Sequence, residues 1–175
     1  MMKKWLFFIL TLALVLPVAS CSDDVNEEAD TDFTPIQFYF NITDADGNYL
    51  LQSEEMRKML SEKITMEYNG VVYNVVDGRS QSRYYMPDFY GIALQKSSAS
   101  DDYVLTVGEF DGSKNVNDAS FTINWSDGTT DVVSYSNNVK KKGAETVIDR
   151  KFYWNGELLN EYTDGCNCYI NKKLN

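Results

Sequence analysis

Six carboxylates, Asp88, Glu109, Asp111, Asp127, Asp131 and Glu157, fall near the ends of stretches that read as β-strands. Two of them held about 5–9 Å apart would serve a glycosidase as acid and base or acid and nucleophile. Acidic turns in an acidic chain also bring carboxylates together without catalytic purpose, and spacing along the chain does not give their separation. A second group is aromatic: Tyr84, Tyr85, Phe89 and Tyr90, with Arg83, Asp88 and Gly91 among them. Displayed on a rigid sheet, such rings stack on sugars or anchor a protein partner, because tyrosine offers a flat apolar face and a polar tip. Turned inward, they are cross-strand core packing. Cys166 and Cys168 flank Asn167. On a strand they point to one face, with Cα atoms near the upper limit of about 6.8 Å for a disulfide, and two sulfurs fall short of the four ligands zinc takes. Histidine is absent, which removes the Ser-His-Asp and Cys-His nucleophile systems and imidazole zinc sites. No catalytic signature remains, and the expectation is a protein that is not an enzyme.

Asp44, Asp46 and Asn48 stand at alternate positions, as in the first half of an EF-hand calcium loop. Counting Asp44 as position one puts Glu55 at position twelve, where that loop closes with a bidentate glutamate. Glycine, however, stands at position four (Gly47), Tyr49 occupies position six, and a strand precedes the segment. A hairpin turn built on Asp, Gly and Asn accounts for the same residues. No metal or small-molecule cofactor is expected.

The elements that would position these residues are almost all strands. Ile36, Phe38, Phe40 and Ile42 alternate with Gln37, Tyr39, Asn41 and Thr43, the period of a strand with one face in a core. Ser53–Leu60 is the one helical stretch: Ser53 caps, Glu54 and Glu55 suit the first turn, and Met56, Met59 and Leu60 share a face. Beyond it, Ile64–Tyr68 and Val71–Val76 flank Asn69-Gly70, a strong hairpin signal because both central residues of a type I′ turn need positive φ. Further strands are expected near Tyr84–Tyr85, Phe89–Gln95, Tyr103–Phe110, Phe121–Trp125, Asp131–Tyr135, Val147–Trp154 and Glu157–Tyr162, the last two around Asn155-Gly156. Lys140-Lys141-Lys142, beside Asn137-Asn138 and Gly143, reads as a solvated loop. The two Asn-x-Ser/Thr sequons, at Asn41 and Asn124, lie inside expected strands.

The chain of 175 residues carries 26 acidic and 16 basic side chains, a formal net charge of −10, with 12 Tyr, 9 Phe and 3 Trp. That charge repels phosphate backbones and argues against a nucleic-acid partner. The aromatic content favours pleated, half-buried surfaces.

The N-terminus has its own logic. Lys3 and Lys4 precede an apolar run from Trp5 to Leu16, then Pro17 and Val18-Ala19-Ser20-Cys21. This is the layout of a secretory signal peptide, and the apolar run is too short for a bilayer core, which takes about twenty residues. Val18–Cys21 resembles the lipobox of bacterial lipoproteins. That resemblance implies cleavage of residues 1–20, lipid on Cys21 and anchoring to a membrane through it. Residues 22–32 hold six acids (Asp23, Asp24, Glu27, Glu28, Asp30, Asp32) and no base, a composition for a flexible tether. An acidic tract directly after the cysteine is also similar to the export signal of Bacteroidetes lipoproteins, which implies the outer membrane and its outer face. Without residues 1–32 the formal charge is about −6, by the same counting.

Residues 33–175 are therefore expected to form a single all-β domain, an antiparallel β-sandwich with one short helix near 53–60. A strand leading into Asp44-Ala45-Asp46-Gly47-Asn48 resembles the opening of transthyretin-like and immunoglobulin-like modules of bacterial surface proteins. The functional expectation is a non-enzymatic cell-surface module binding a glycan or protein partner, with Tyr84, Tyr85, Phe89 and Tyr90 as its ligand-binding residues. An accessory subunit of an outer-membrane assembly is the alternative, and a carboxylate hydrolase a further one.

Overall fold

A computed structural model describes residues 35–78, 87–97, 101–143, 145–159, 165 and 167–175. Thr31–Asn175 is one compact unit. It opens with β1 (Ile36–Thr43), in which Ile36, Phe38, Phe40 and Ile42 are at most 1% exposed and the intervening residues look outward. A 3-10 turn (Leu50–Gln52) leads into α1 (Glu54–Lys63). The Ser53 hydroxyl accepts from the Met56 amide at 3.4 Å, Glu54 and Glu55 occupy the positive end of the helix and Lys63 the other. Leu51 and Leu60 are buried and tie this turn and helix to the sandwich.

The β2 (Thr65–Tyr68) and β3 (Val71–Asn74) strands form the Asn69-Gly70 hairpin, with φ of 51° and 75° at the two turn residues as a type I′ turn requires. Val71–Val76 is not one strand. The chain leaves β3 at Asn74 and joins the other sheet as β4 (Val76–Asp77), so the apolar run spans a crossing between layers. Next come β5 (Gly91–Lys96) and β6 (Tyr103–Phe110). The β5 strand starts at Gly91, two residues after Phe89; Gly91 has φ +81° and a Cβ there would lie 2.5 Å from the Tyr73 ring, so the position suits glycine. The chain continues through β7 (Val116–Asn124), β8 (Thr130–Lys142), β9 (Glu145–Trp154), β10 (Glu157–Leu158) and β11 (Asn167–Lys173). Asn155-Gly156 turns β9 into β10 as expected. The expected strand near Tyr84–Tyr85 and the far part of Glu157–Tyr162 lie outside the described residues.

Two sheets face each other, ordered β11-β1-β6-β5-β4 and β10-β9-β8-β7-β2-β3. The protein is an all-β sandwich, mostly antiparallel, with two parallel pairings, β1 with β11 and β4 with β5. Between the layers, Phe38 meets Phe110, Phe121, Tyr135 and Phe152 with ring centroids 5.0–6.0 Å apart. Trp125 extends the same layer towards Phe40 at 5.8 Å.

The lysine run is corrected by the fold. Lys140, Lys141 and Lys142 are the last residues of β8 and pair with Val147, Thr146 and Glu145. Asn137, which together with Asn138 suggested a loop, is wholly buried: its Nδ2 donates to the Gly112 and Lys114 carbonyls at 2.9 and 2.7 Å, and its Oδ1 accepts from Arg150 Nε at 2.8 Å. A buried amide with its polar atoms engaged is compatible with a strand interior, which asparagine otherwise disfavours.

Candidate functional site

The aromatic residues singled out by the sequence separate. Phe89 packs against Tyr68, Tyr73 and Phe110, with centroids 5.2, 5.4 and 4.9 Å away. It walls a recess of about 500 Å³ that also touches Tyr135, Asp111 and Lys114. Burial pushes the Tyr135 phenol up, and the neighbouring Tyr68, which shares a hydrogen bond with it, and the Asp111 charge act in the same direction. Phe89 is thus a half-buried extension of the core. Tyr90 goes elsewhere: its hydroxyl donates to Thr106 Oγ1 at 3.0 Å, on the outward face of the β6 strand. Tyr84, Tyr85, Cys21 and Cys166 lie outside the described residues. Cys168 is buried on the inner face of β11, where it serves as a small core residue.

The carboxylates also have local duties. Asp44 builds its own turn: Oδ1 accepts from the Asp46 and Asn48 amides at 2.9 and 2.8 Å, and Oδ2 from Asn48 Nδ2 at 2.8 Å. The Asn48 side chain, then its amide, hold the Asp44 carboxyl below its ordinary range. All three residues of the calcium-like triplet are therefore engaged in one hairpin turn. Glu109 accepts from Gln37 Nε2 and the Asp88 amide, each at 3.3 Å. Asp111 accepts from Ser113 and pairs with Lys114 at 3.0 Å. At the opposite end, burial works against the Asp127 charge, but hydrogen bonds from the Thr129 hydroxyl and the Asn175 and Thr129 amides, with Lys172 nearby, win and lower its carboxyl to about 2.

Asp131 stands apart because it is 7% exposed. Its Oδ2 accepts from Trp125 Nε1 at 2.7 Å and Lys172 Nζ at 2.8 Å, and its Oδ1 from Asn155 Nδ2 at 2.7 Å. Lys172 also donates to Thr129 Oγ1 at 3.0 Å and lies 5.2 Å from the Trp125 ring centre. Lys172 belongs to one sheet and Asp131 to the other, so this buried ion pair clasps the two layers.

The arrangement best suited to a ligand was not singled out in the sequence. Adjacent strands β1 and β11 run in register, so Gln37, Tyr39 and Asn41 lie beside Asn167, Tyr169 and Asn171 on the outward face. Tyr39 and Tyr169 stack with centroids 5.0 Å apart and planes 20° apart. The Tyr39 hydroxyl donates to Gln37 Oε1 at 2.6 Å, and Asn41 Nδ2 to Asn171 Oδ1 at 3.0 Å. On the other side Tyr39 pairs with Thr106, which carries the Tyr90 hydroxyl. The row Tyr169, Tyr39, Thr106, Tyr90 therefore crosses the strands, with Thr106 wholly buried under its neighbours, and amides flank the Tyr39–Tyr169 end. Tyr169 is 41% exposed although one face of its ring lies against Tyr39. Glu109 reaches this row through Gln37. The alternation in β1 already put Tyr39 outward, but its stacking partner is 130 residues away in the chain, beyond any local pattern.

No protein-family model matches the chain, and neither a curated protein nor a solved structure matches it.

Proposed function

We propose that the chain is a bacterial envelope lipoprotein whose sandwich binds a neutral glycan on the tyrosine–amide face. Residues 1–20 are its signal peptide, Cys21 bears the lipid, and the acidic stretch 22–32 is a tether at the outer face of the outer membrane. The observation that carries the binding role is the Tyr39–Tyr169 stack beside hydrogen-bonded Gln37, Asn41 and Asn171. A pyranose needs such a combination: an aromatic face for its C–H groups, and fixed amides for its hydroxyls. Among the described residues, the outward neighbours of the stack on β1 and β11 are the amides Gln37, Asn41, Asn167 and Asn171, with charge only further out, at Glu109 and Lys173; uncharged neighbours favour a neutral sugar over a charged ligand. The role is recognition without turnover.

Tyr169→Ala is expected to weaken glycan binding roughly tenfold or more, about 1.4 kcal/mol. Val132→Ala, on the outer face of the other sheet, should leave it unchanged. A glycan array with the compact unit 31–175, followed by titration calorimetry on its best ligand, reads both. Equal affinity for the wild-type and Tyr169→Ala proteins would remove the stack from the site. The anchor has its own check. Cys21→Ala is expected to release the protein from membranes or leave the signal uncleaved, and normal processing with membrane retention would overturn the lipid reading.

The accessory-subunit reading is favoured by one feature, the exposure of Val71, Val72 and Val76 (50, 60 and 47%) where β3 and β4 end their sheets. Co-purification of a membrane partner lost in Val72→Lys, with Tyr169→Ala silent, would select it.

A further inference from the structure

The β8–β9 hairpin is longer than the sheet that holds it. The last residue of β8 paired with β7 is Asn137, opposite Val116. Beyond that point β9 is, among the described residues, the only strand that accompanies it, through Asn138↔Asp149, Val139↔Ile148, Lys140↔Val147, Lys141↔Thr146 and Lys142↔Glu145. Five residues on each strand therefore project, about 16 Å at strand rise. The arm is tied at its root, where the Val139 amide donates to Asn115 Oδ1 and Arg150 donates to the Gly112 and Gly165 carbonyls at 3.3 and 2.9 Å. Lys140, Lys141 and Lys142 are exposed, as are Val147 (47%) and Ile148 (39%). Glu145 and Asp149 are the acids on the facing strand. By the same rise the three lysines stand about 10–16 Å beyond the last residue paired with β7, between one and two Debye lengths of about 8 Å at physiological salt, so the negative charge of the rest of the domain is partly screened from them.

The direction of projection matters. Ile36 starts β1 opposite Phe110, and Phe110 runs into the turn whose Gly112 and Lys114 carbonyls accept from Asn137. The chain coming from Cys21 thus enters the sandwich at the end from which the lysine arm projects. Fourteen residues separate Cys21 from Ile36, a reach of at most about 50 Å, so the arm can come down on the surface that holds the lipid.

We propose that the tip of the β8–β9 hairpin is a membrane-contact arm, with Lys140–Lys142 on anionic headgroups and Val147, paired with Lys140, beside them. This deepens the anchor reading and rests on it. Each lysine near an anionic leaflet adds modest attraction, and tethering by the lipid raises the local concentration so that a weak contact is populated. The consequence is an orientation: the arm and the lipid form two points of attachment on one side of the domain.

The test uses the full lipidated chain on vesicles of phosphatidylcholine alone and of phosphatidylcholine with phosphatidylglycerol at roughly 3:1. Amide hydrogen exchange is followed at residues 139–148. On the anionic vesicles, tip amides should exchange at least about threefold more slowly than on neutral ones. The difference should vanish in high salt and in the triple variant Lys140→Gln, Lys141→Gln, Lys142→Gln, whose side chains are exposed and whose circular dichroism should not change. Equal exchange on both vesicles overturns the proposal, as does slowing that survives in the triple variant. Slowing that is indifferent to lipid and disappears when the six tether acids are changed to amides also overturns it, and makes the tether the arm's occupant. A chain that floats with neither vesicle overturns the anchor reading alone; tip exchange at saturating lipid still decides the arm.

Discussion

Asp131→Ala is expected to destabilise the protein by about 3–5 kcal/mol, the cost of leaving one member of a buried ion pair without its partner. The Lys172 and Asp131 side chains are only 11% and 10% exposed, so water cannot take over either role. Alanine would strand the Lys172 ammonium beside the Trp125 ring and deprive Trp125 Nε1 and Asn155 Nδ2 of their acceptor. Because the ammonium left behind is the main cost, Lys172→Met added to Asp131→Ala should restore part of the loss. Thermal melting of the four combinations measures this coupling, and at about 2–4 °C per kcal/mol the single variant should melt roughly 6–20 °C lower. A loss below 1 kcal/mol would mean that the clasp between the sheets contributes little. Salt should change the result only slightly, since the pair is shielded from counterions.

A loss of similar size, about 3–5 kcal/mol, is expected for Phe38→Ala, from removed apolar contacts plus the void left behind. Phe38 sits on an interior strand of its sheet, is wholly buried and touches four rings drawn from β6, β7, β8 and β9. Those rings come from both layers, so the space cannot collapse without moving one sheet against the other. Tyr39→Ala, one residue further along and facing outward, should cost less than about 1 kcal/mol in stability. Urea unfolding would show the contrast as a large drop in midpoint for one variant and a small one for the other, at constant slope. Equal losses would contradict the inside–outside assignment of β1.

That assignment was readable from the residues themselves, because a strand with one buried face writes its period directly into the sequence. The same holds for the Asn69-Gly70 and Asn155-Gly156 turns and for the Ser53 cap, each set by a backbone requirement of one or two residues. What stayed hidden is non-local. Alternation says which face a residue takes but not which strand lies beside it, so the Tyr39–Tyr169 stack and the parallel pairing of β1 with β11 left no mark. Asp131 looked like one more turn carboxylate, because burial depends on Lys172 and Trp125 arriving from elsewhere. Asn137 misled for the same reason: its hydrogen bonds run to Gly112, Lys114 and Arg150, and without those partners asparagine reads as a loop residue.

The first and last strands of this sandwich are neighbours: Gln37 pairs with Asn167 and Thr43 with Lys173. Closing that ladder joins residues 130 apart, so its loop entropy must be met before any of its hydrogen bonds form. Cys168, Ile170 and Leu174 also complete the interior from the far end of the chain. During synthesis, the sheet holding β1 therefore lacks this pairing until residues 167–173 have emerged. For the exported protein proposed above, that delay would keep β1 without its partner while the chain is still extended.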